Sequence, residues 1–516
     1  MGHPAFALEF EAQQRQRTRL VCVPVLGVGR PGSEGADATR EVLVTAIDSY
    51  QLNDRFLADE DERHHLERAE DRADRRGAPR YAVYGYLGTN MSRQPGRFAF
   101  AFIFTTVLLS MIGMGVVMPV MPKLIMHVSD GDIAHAAKWG GVLTLVYAVM
   151  QFFMMPIMGG LSDRFGRRPV LLGSLAAYSL DFLLMALAPT MALLVAARAL
   201  AGAFAATFST ANAYIADITP PEKRAANFGM MGAAFGLGFI IGPAIGGYLG
   251  EHFGPRAPFY FVAALGAVNF TYGFFFVPET LKAENRRAFD WKRANALGAF
   301  AQFAKYPAIL PIAVVTFLHQ LGHWTFPSVW AFYADERFGW TPGDIGLSLM
   351  AVGVAAALVQ GGLTRVIVPK IGERGAALFG LAIGVFCYVG YALATEGWMI
   401  YVLIPIGALG GFTLPALQSL MSRALPANAQ GELQGAIGAT NGLSMIISPW
   451  LMTQIFSAFI KPGEPFAVGG VTLLPDGAPF YFPGAPFLAA CLLATMALLT
   501  LHLATSHQPR AAAGAA

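Results

Sequence analysis

A charged or titratable side chain inside a long apolar run is costly, about 2.5–3.5 kcal/mol at the centre of a membrane helix on insertion scales, so each one is a candidate for chemistry. Four stand out: Asp181 in "YSLDFLLM", Arg198 in "AARALAG", and His319 and His323 in "FLHQLGHW". Asp181 lies about 11 residues into its run, roughly 16 Å deep at the helical rise, and Arg198 reaches a comparable depth from the opposite end of the next run. The two can pair, or compete for one proton; a buried structural ion pair is the alternative reading. His319 and His323, four residues apart, share one helical face. Imidazole titrates near neutral pH, so the pair is read either as carrying protons or contacting substrate, or as inert pore-lining polar groups. No acid or third histidine accompanies them, and a metal site is not expected.

A second set of charges, Asp163, Arg164, Arg167 and Arg168, sits in "GGLSDRFGRRPVLL" between two apolar runs. Gly159 and Gly166 permit a tight turn there. Asp163 is expected at a helix N-terminus, whose positive dipole end favours a carboxylate. The arginines can bind anionic lipid heads or pair with acids on neighbouring helices, and for Arg167 and Arg168 a plain positive-inside loop serves equally well. A lone acid among arginines defeats simple topology signalling, so Asp163 reads as part of a gate latch. Further on, Gly229, Gly238, Gly242, Pro243, Gly246 and Gly247 form a ladder. Generic helix packing through small residues is one reading. Their full spacing favours the other, a hinge and seal between two halves.

The elements that must carry these residues follow from composition. Hydrophobic residues make up 55% of the 516 and charged ones 13%, and mean hydropathy is +0.49, far from a soluble domain. A formal charge of +3, with no basic patch among aromatics, excludes nucleic acid as a partner. Cys22, Cys387 and Cys491 are too scattered for a metal motif or a disulfide framework. Residues 1–97 are ordinary in polarity, and "DERHHLERAEDRADRR" suits a solvated helix or disordered tail. The opening residues lack a signal peptide's basic start and apolar core. Met91 followed by "SRQPGR" reads as an alternative start, which would make residues 1–90 an upstream extension.

From Phe98 onward, runs long enough to cross a bilayer recur. Six fall between Phe98 and Val277; a polar connector spans residues 279–306; six more lie between Ile309 and Leu503. This predicts an all-α membrane protein of about twelve helices in two six-helix bundles, residues 91–278 and 307–505, with a tail at 506–516. Lys and Arg placement puts the Gly159–Arg168 loop, the connector and both termini in the cytoplasm, the lipid bilayer being the immediate partner. The halves also repeat. Gly166 and Gly372, Pro220 and Pro426, Gly229 and Gly435, and Pro243 and Pro449 are each 206 positions apart. Duplicated halves imply a transporter in which one bundle rocks against the other about a midplane site.

With these residues in view, "GGLSDRFGRRPVLL" resembles the signature loop of the major facilitator superfamily, and "GMMGAAFGLGFIIGPAIGG" its antiporter motif. "YIADITPPEKRAANFG", "PETL", "DERFGWTPGDIGLSL" and "LPALQSLMSRALPANAQGELQG" are similar to the tetracycline/proton antiporters. The resemblance implies proton-coupled drug efflux, an acid and an arginine at Asp181 and Arg198, and a substrate-side glutamine at Gln151, with a plain polar helix contact as the alternative for the last. Gln320 and Asn441 are assigned to the same substrate cavity. The chain departs from the family at three ionisable positions, where it has Ser110, Ala356 and Gly384. That puts the usual proton stoichiometry, and recognition of a metal-chelated drug, in question.

No nucleotide-binding loop or soluble catalytic constellation competes with a transporter, so no enzyme activity, cofactor or metal is expected. The expected partners are a small drug-like molecule, protons and the plasma membrane. A metabolite or sugar transporter without proton coupling is the alternative within the class. A receptor or scaffold acting through residues 1–90 is the alternative outside it.

Overall fold

Long apolar segments must satisfy their backbone internally in lipid, and here they do so as helices. The computed structural model describes residues 97–506 apart from 206, 292–294, 296, 301, 302, 304, 427, 428, 469 and 470. The segment read as a solvated extension, and the scaffold reading that rests on it, lie outside the described residues.

Among the described residues, ten helical stretches are long and apolar enough to cross a membrane. One of these, Pro342–Leu393, holds two crossings because Gly372 breaks it at φ 70°, ψ 166°. Leu310–Phe338, diluted by His319, Gln320 and His323, is a further helix of 29 residues. Twelve crossings result, as the apolar runs predict. In order they are span 1 (Arg97–Ser129), span 2 (Ile133–Phe165), span 3 (Arg167–Leu187), span 4 (Met191–Ala203 with Thr207–Ile218), span 5 (Pro221–Phe253) and span 6 (Ala257–Phe276). Span 7 is Leu310–Phe338; span 8 is Pro342–Leu358 with a π turn, Val359–Leu363; span 9 is the part of Thr364–Leu393 beyond Gly372. Span 10 (Gly397–Ala408 with Thr413–Arg423), span 11 (Gln430–Ile460) and span 12 (Ala485–Ser506) complete the set. The all-α expectation needs one addition: a two-stranded antiparallel hairpin, Phe466–Val468 with Val471–Leu474, between spans 11 and 12.

The repeat seen in the sequence is also a repeat of conformation. Gly166 adopts φ 110°, ψ 162°, and its counterpart Gly372 shares the positive φ and the extended ψ, a region where a Cβ is strained. Spans 4 and 10 are interrupted at matching places, with their second pieces starting at Thr207 and Thr413. Packing repeats too: span 1 lies on span 5 as span 7 lies on span 11, and span 3 on span 6 as span 9 on span 12.

The halves meet where span 5 crosses span 8 and span 2 crosses span 11. These crossings are tight toward the end opposite the arginine loop. A Cβ on Gly247 would collide with the carbonyl oxygen of Pro342, one on Gly346 with that of Pro243, and one on Gly141 with the Thr453 hydroxyl. Three ladder glycines serve a different contact, within one half: Gly238, Gly242 and Gly246 let span 5 lie against Met111, Ile112 and Val116 of span 1. Gly229 has nothing within 4 Å of an added Cβ. Gly246→Val is therefore expected to destabilise by about 1–3 kcal/mol through overpacking. Gly229→Ala should be neutral or stabilising by about 0.4–1 kcal/mol, and melting of the detergent-solubilised protein checks both.

Candidate functional site

Between the halves lies a cavity of ≈ 240 Å³. Spans 1, 2, 3, 4, 7 and 11 contribute its walls, and the interruption in span 4 places Phe204, Ala205 and Thr207 on one side of it. Asp181 and Arg198, taken from runs of opposite direction, meet here as an ion pair between Oδ2 and Nη2. The Asp181 side chain is 1% exposed and the Arg198 side chain 13%. The guanidinium also lies over the rings of Tyr147 and Phe182, 5.7 and 5.8 Å from their centroids. Such contacts stabilise a desolvated cation. Three buried polar atoms at the cavity have no hydrogen-bond partner among the described residues: Asp181 Oδ1, Arg198 Nε and Ser174 Oγ. Buried polar atoms are nearly always satisfied, so these three set the Asp181–Arg198 neighbourhood apart from the rest of the cavity wall.

The other cavity candidates separate. Gln151 lines the cavity, and so does Ser110, whose hydroxyl donates to the Thr106 carbonyl at 2.8 Å. Gln320 and Asn441 do not line it. They satisfy each other across spans 7 and 11, Gln320 Nε2 donating to Asn441 Oδ1 at 2.6 Å, and Trp324 Nε1 donating to the same oxygen at 3.1 Å. Trp324 is the member of that cluster that reaches the cavity. His319 and His323 stack with centroids 6.1 Å apart, on one face as the spacing predicts, the second exposed and neither at the cavity wall. Gly384 is half-buried, with Tyr388 Cε2 3.9 Å from where its Cβ would stand.

The arginine loop holds a correction. Asp163 is not at a helix N-terminus; it lies in the last turn of span 2, where the dipole is unfavourable to a carboxylate. Arg167 offsets this, its Nη1 2.6 Å from Asp163 Oδ1 and its Nε 3.3 Å from Asp217 Oδ2 at the end of span 4. The carboxylate at the N-terminus of span 3 is Glu279, which accepts from the backbone N–H of Arg167 at 2.8 Å and of Arg168 at 3.1 Å. Gly166 has no side chain to cap the helix, and an acid 112 residues away does so instead. The sequence signal was available: an acid directly after Pro278, where span 6 emerges beside span 3. Arg168 donates to the Phe274 carbonyl at 2.5 Å, and Arg164 stacks over Phe165 at 5.1 Å. Gly160 faces Phe289 of the connector, while an added Cβ at Gly159 would meet nothing.

The second half carries the same brace with its charges exchanged. Glu373 and Arg423 stand 206 positions after Arg167 and Asp217, and they pair at 2.6 Å. Both braces lie within their own halves. At the opposite end two ion pairs cross from half to half: Lys123 to Asp335 at 2.9 Å and Lys461 to Asp132 at 2.6 Å. Thr341 adds a hydrogen bond to Glu251 at 3.3 Å. The halves are thus fastened at the end away from the arginine loop.

The sequence profile described as Major Facilitator Superfamily matches residues 103–449. The tetracycline resistance protein, class C, of Escherichia coli is 39% identical over 360 residues, 70% of this chain and 90% of that protein. The class B protein of the same organism is 36% identical over 354 residues, 68% of this chain and 86% of that one. Among solved structures, a bacterial homologue of the human lysosomal transporter Spinster, inward-facing and unoccupied, superposes with TM-score 0.64 at 17% identity, over 79% of this chain and 96% of the other. The human organic anion transporter MFSD10 (TETRAN) gives 0.57 at 21%, over 79% and 99%. At such identities the structural likeness shows the fold alone.

The crossing pair at Lys461 generates a pH prediction. Its hydrogen bond holds the Asp132 carboxyl below the usual carboxylate range and raises the Lys461 ammonium in turn. A lowered carboxylate contributes stability that is present above its unfolded value of about 3.9 and is lost as pH falls through the folded one. A raised ammonium contributes fully below about 10.4 and is lost as pH rises through its folded value. Both contributions hold across the neutral range. Asp132 and Lys461 are each more than a third exposed, so solvent screening limits the pair to about 0–1 kcal/mol. Asp132→Asn should lower the melting temperature by no more than a few degrees, a difference that shrinks in about 1 M salt and toward pH 3.

Proposed function

The chain belongs to the Major Facilitator Superfamily, and on that premise we propose that it is a proton-coupled exporter of small amphipathic compounds, with tetracycline as the first substrate to test. The observation that carries the reading is the Asp181–Arg198 pair set in a cavity between two halves that ion pairs fasten at the end away from the arginine loop. Alternating access requires that arrangement: a site near mid-depth, and a contact that can be exchanged from one end to the other. Asp181 is the proton carrier. When it is ionised it holds Arg198; when protonated it releases the guanidinium, so proton entry and substrate release draw on the same pair. Gln151 and Ser110 supply neutral hydrogen bonds to the substrate.

In this reading residues 91–278 and 307–505 are the two moving bodies and 279–306 the connector. The braces at Arg167–Asp217 and Glu373–Arg423 keep each body rigid. The arginine loop and both termini face the cytoplasm, by the positive-inside rule, and the membrane is the plasma membrane. Neutral residues at Ala356 and Gly384 favour a second reading, transport of a metabolite without proton coupling.

The decisive measurement is tetracycline accumulation in an efflux-deficient bacterial host, with and without a protonophore. The full chain is expected to lower accumulation, and the protonophore to abolish the difference. Asp181→Asn should remove the protonophore effect along with most export, while an intact, proton-driven efflux in that variant removes the residue from the coupling path. Asp163→Asn is expected to weaken efflux at unchanged expression. Cysteines placed at Arg167 and Lys461 should react with an impermeant thiol reagent from opposite sides of the membrane.

A further inference from the structure

When Asp181 takes up a proton its charge is lost, and Arg198 is left as an uncompensated buried cation. Removing one partner of a buried pair is strongly unfavourable unless the remaining ion finds other stabilisation. No second carboxylate stands ready in the N-terminal half. Residues 98–122, 139–162, 169–216, 225–250 and 257–278, which make up the bodies of spans 1 to 6, contain no acid, lysine, arginine or histidine besides the pair. Tyr147 of span 2 and Tyr178 of span 3 are the other ionisable groups among the cavity's described lining residues. What the guanidinium does have is aromatic: it lies over the rings of Tyr147 and Phe182, 5.7 and 5.8 Å from their centroids. Electron-rich ring faces attract a cation, most strongly one held out of water. They matter more once the carboxylate no longer neutralises that charge.

Each ring owes its place to a close approach that a glycine permits. A Cβ on Gly202, one turn beyond Arg198, would collide with the Tyr147 carbonyl oxygen, so the missing side chain lets span 2 bring Tyr147 against span 4. Phe182 is buried, its ring 4.7 Å from that of Tyr178 and 6.3 Å from that of Phe259 on span 6. Tyr178 in turn donates to the Leu109 carbonyl at 3.3 Å and fits against span 1 because Gly113 leaves room for its hydroxyl. Both rings are thus fixed by contacts that do not involve Asp181, and they stay in place when its charge is lost.

Resting on the export reading above, we propose that Tyr147 and Phe182 are positioning residues for proton coupling: their ring faces hold the Arg198 guanidinium while Asp181 is protonated, and so set the pH at which the carboxylate loads. The proton adds to an Asp181 carboxylate oxygen, the ion pair breaks, and the positive charge that remains stays on Arg198 against the rings. Without a ring face the same step strands the guanidinium in apolar surroundings, and a higher proton concentration is needed to drive it.

Infrared difference spectroscopy of the purified full chain against pH tests it without any substrate. The C=O stretch of protonated Asp181, assigned by its absence in Asp181→Asn, should grow in as pH falls. Tyr147→Leu keeps an apolar side chain but removes the ring face, and should move the midpoint of that band to lower pH by about one unit. Tyr147→Phe keeps the face and should keep the parent midpoint. Phe182→Leu removes the other ring and should shift the midpoint in the same direction, which keeps the test decisive if Tyr147→Leu does not fold. An unchanged midpoint in Tyr147→Leu with a normal melting curve overturns the inference, as does a Tyr147→Phe shift equal to that of Tyr147→Leu. If tetracycline export by such a variant is still proton-driven, the export reading stands without it. A parent protein in which no Asp181 band titrates overturns both.

Discussion

A charge carried halfway through a bilayer must be neutralised by another, and in this protein Asp181 and Arg198 do that for each other. The consequences extend outward. Spans 3 and 4 must approach closely enough for the two side chains to meet, and the rings of Tyr147 and Phe182 must close around the guanidinium. Span 4 breaks beside the pair, so that at Phe204 and Ala205 the cavity wall is irregular backbone rather than continuous helix. Irregular backbone is tolerated at membrane depth only where it lines a cavity or is buried in protein. Among the described residues, Asp181 Oδ1 and Arg198 Nε have no hydrogen-bond partner.

The two ends of the molecule are held by different kinds of contact. Away from the arginine loop, the halves touch backbone to backbone where Gly247 meets Pro342 and Gly346 meets Pro243, and two ion pairs cross between them. At the loop end, polar contacts brace each half internally: Arg167 ties the start of span 3 to the end of span 4, and Glu373 does the equivalent for spans 9 and 10. Crossing pairs that keep access to solvent suit the exchange of contacts that the export reading asks of the two halves. Screening keeps each crossing pair modest in energy, so the closed end is stable yet reversible. The exchange of charge signs between the two braces shows that the repeat preserved an interaction rather than residue identities.

Much of this was legible in the chain. Twelve apolar runs gave twelve crossings because a bilayer sets a minimum length and permits only internally bonded backbone. The depth of Asp181 against Arg198 could be counted because a helix rises by a constant amount per residue. The 206-residue repeat carried over into positive φ with extended ψ at both Gly166 and Gly372 and into matching breaks in spans 4 and 10. Periodicity and depth are properties of one segment at a time, and a sequence states them directly.

Other features depended on which distant segments approach. Asp163 was expected at a helix start and lies at a helix end, while Glu279 caps a helix 112 residues away, a role that depends on span 6 emerging beside span 3. Gln320 and Asn441 read as cavity residues and bond to each other, because the rotation of span 7 against span 11 decides which polar groups are consumed in packing. The glycine ladder read as one seal and divides between a contact within a half and a contact across halves. The sequence by itself determined the crossings, their duplication and the depth of the buried charges, since these follow from helix geometry and the thickness of lipid. Only the tertiary structure decided which carboxylate meets which cation and which polar atoms stay free, since those depend on how the spans are rotated and paired.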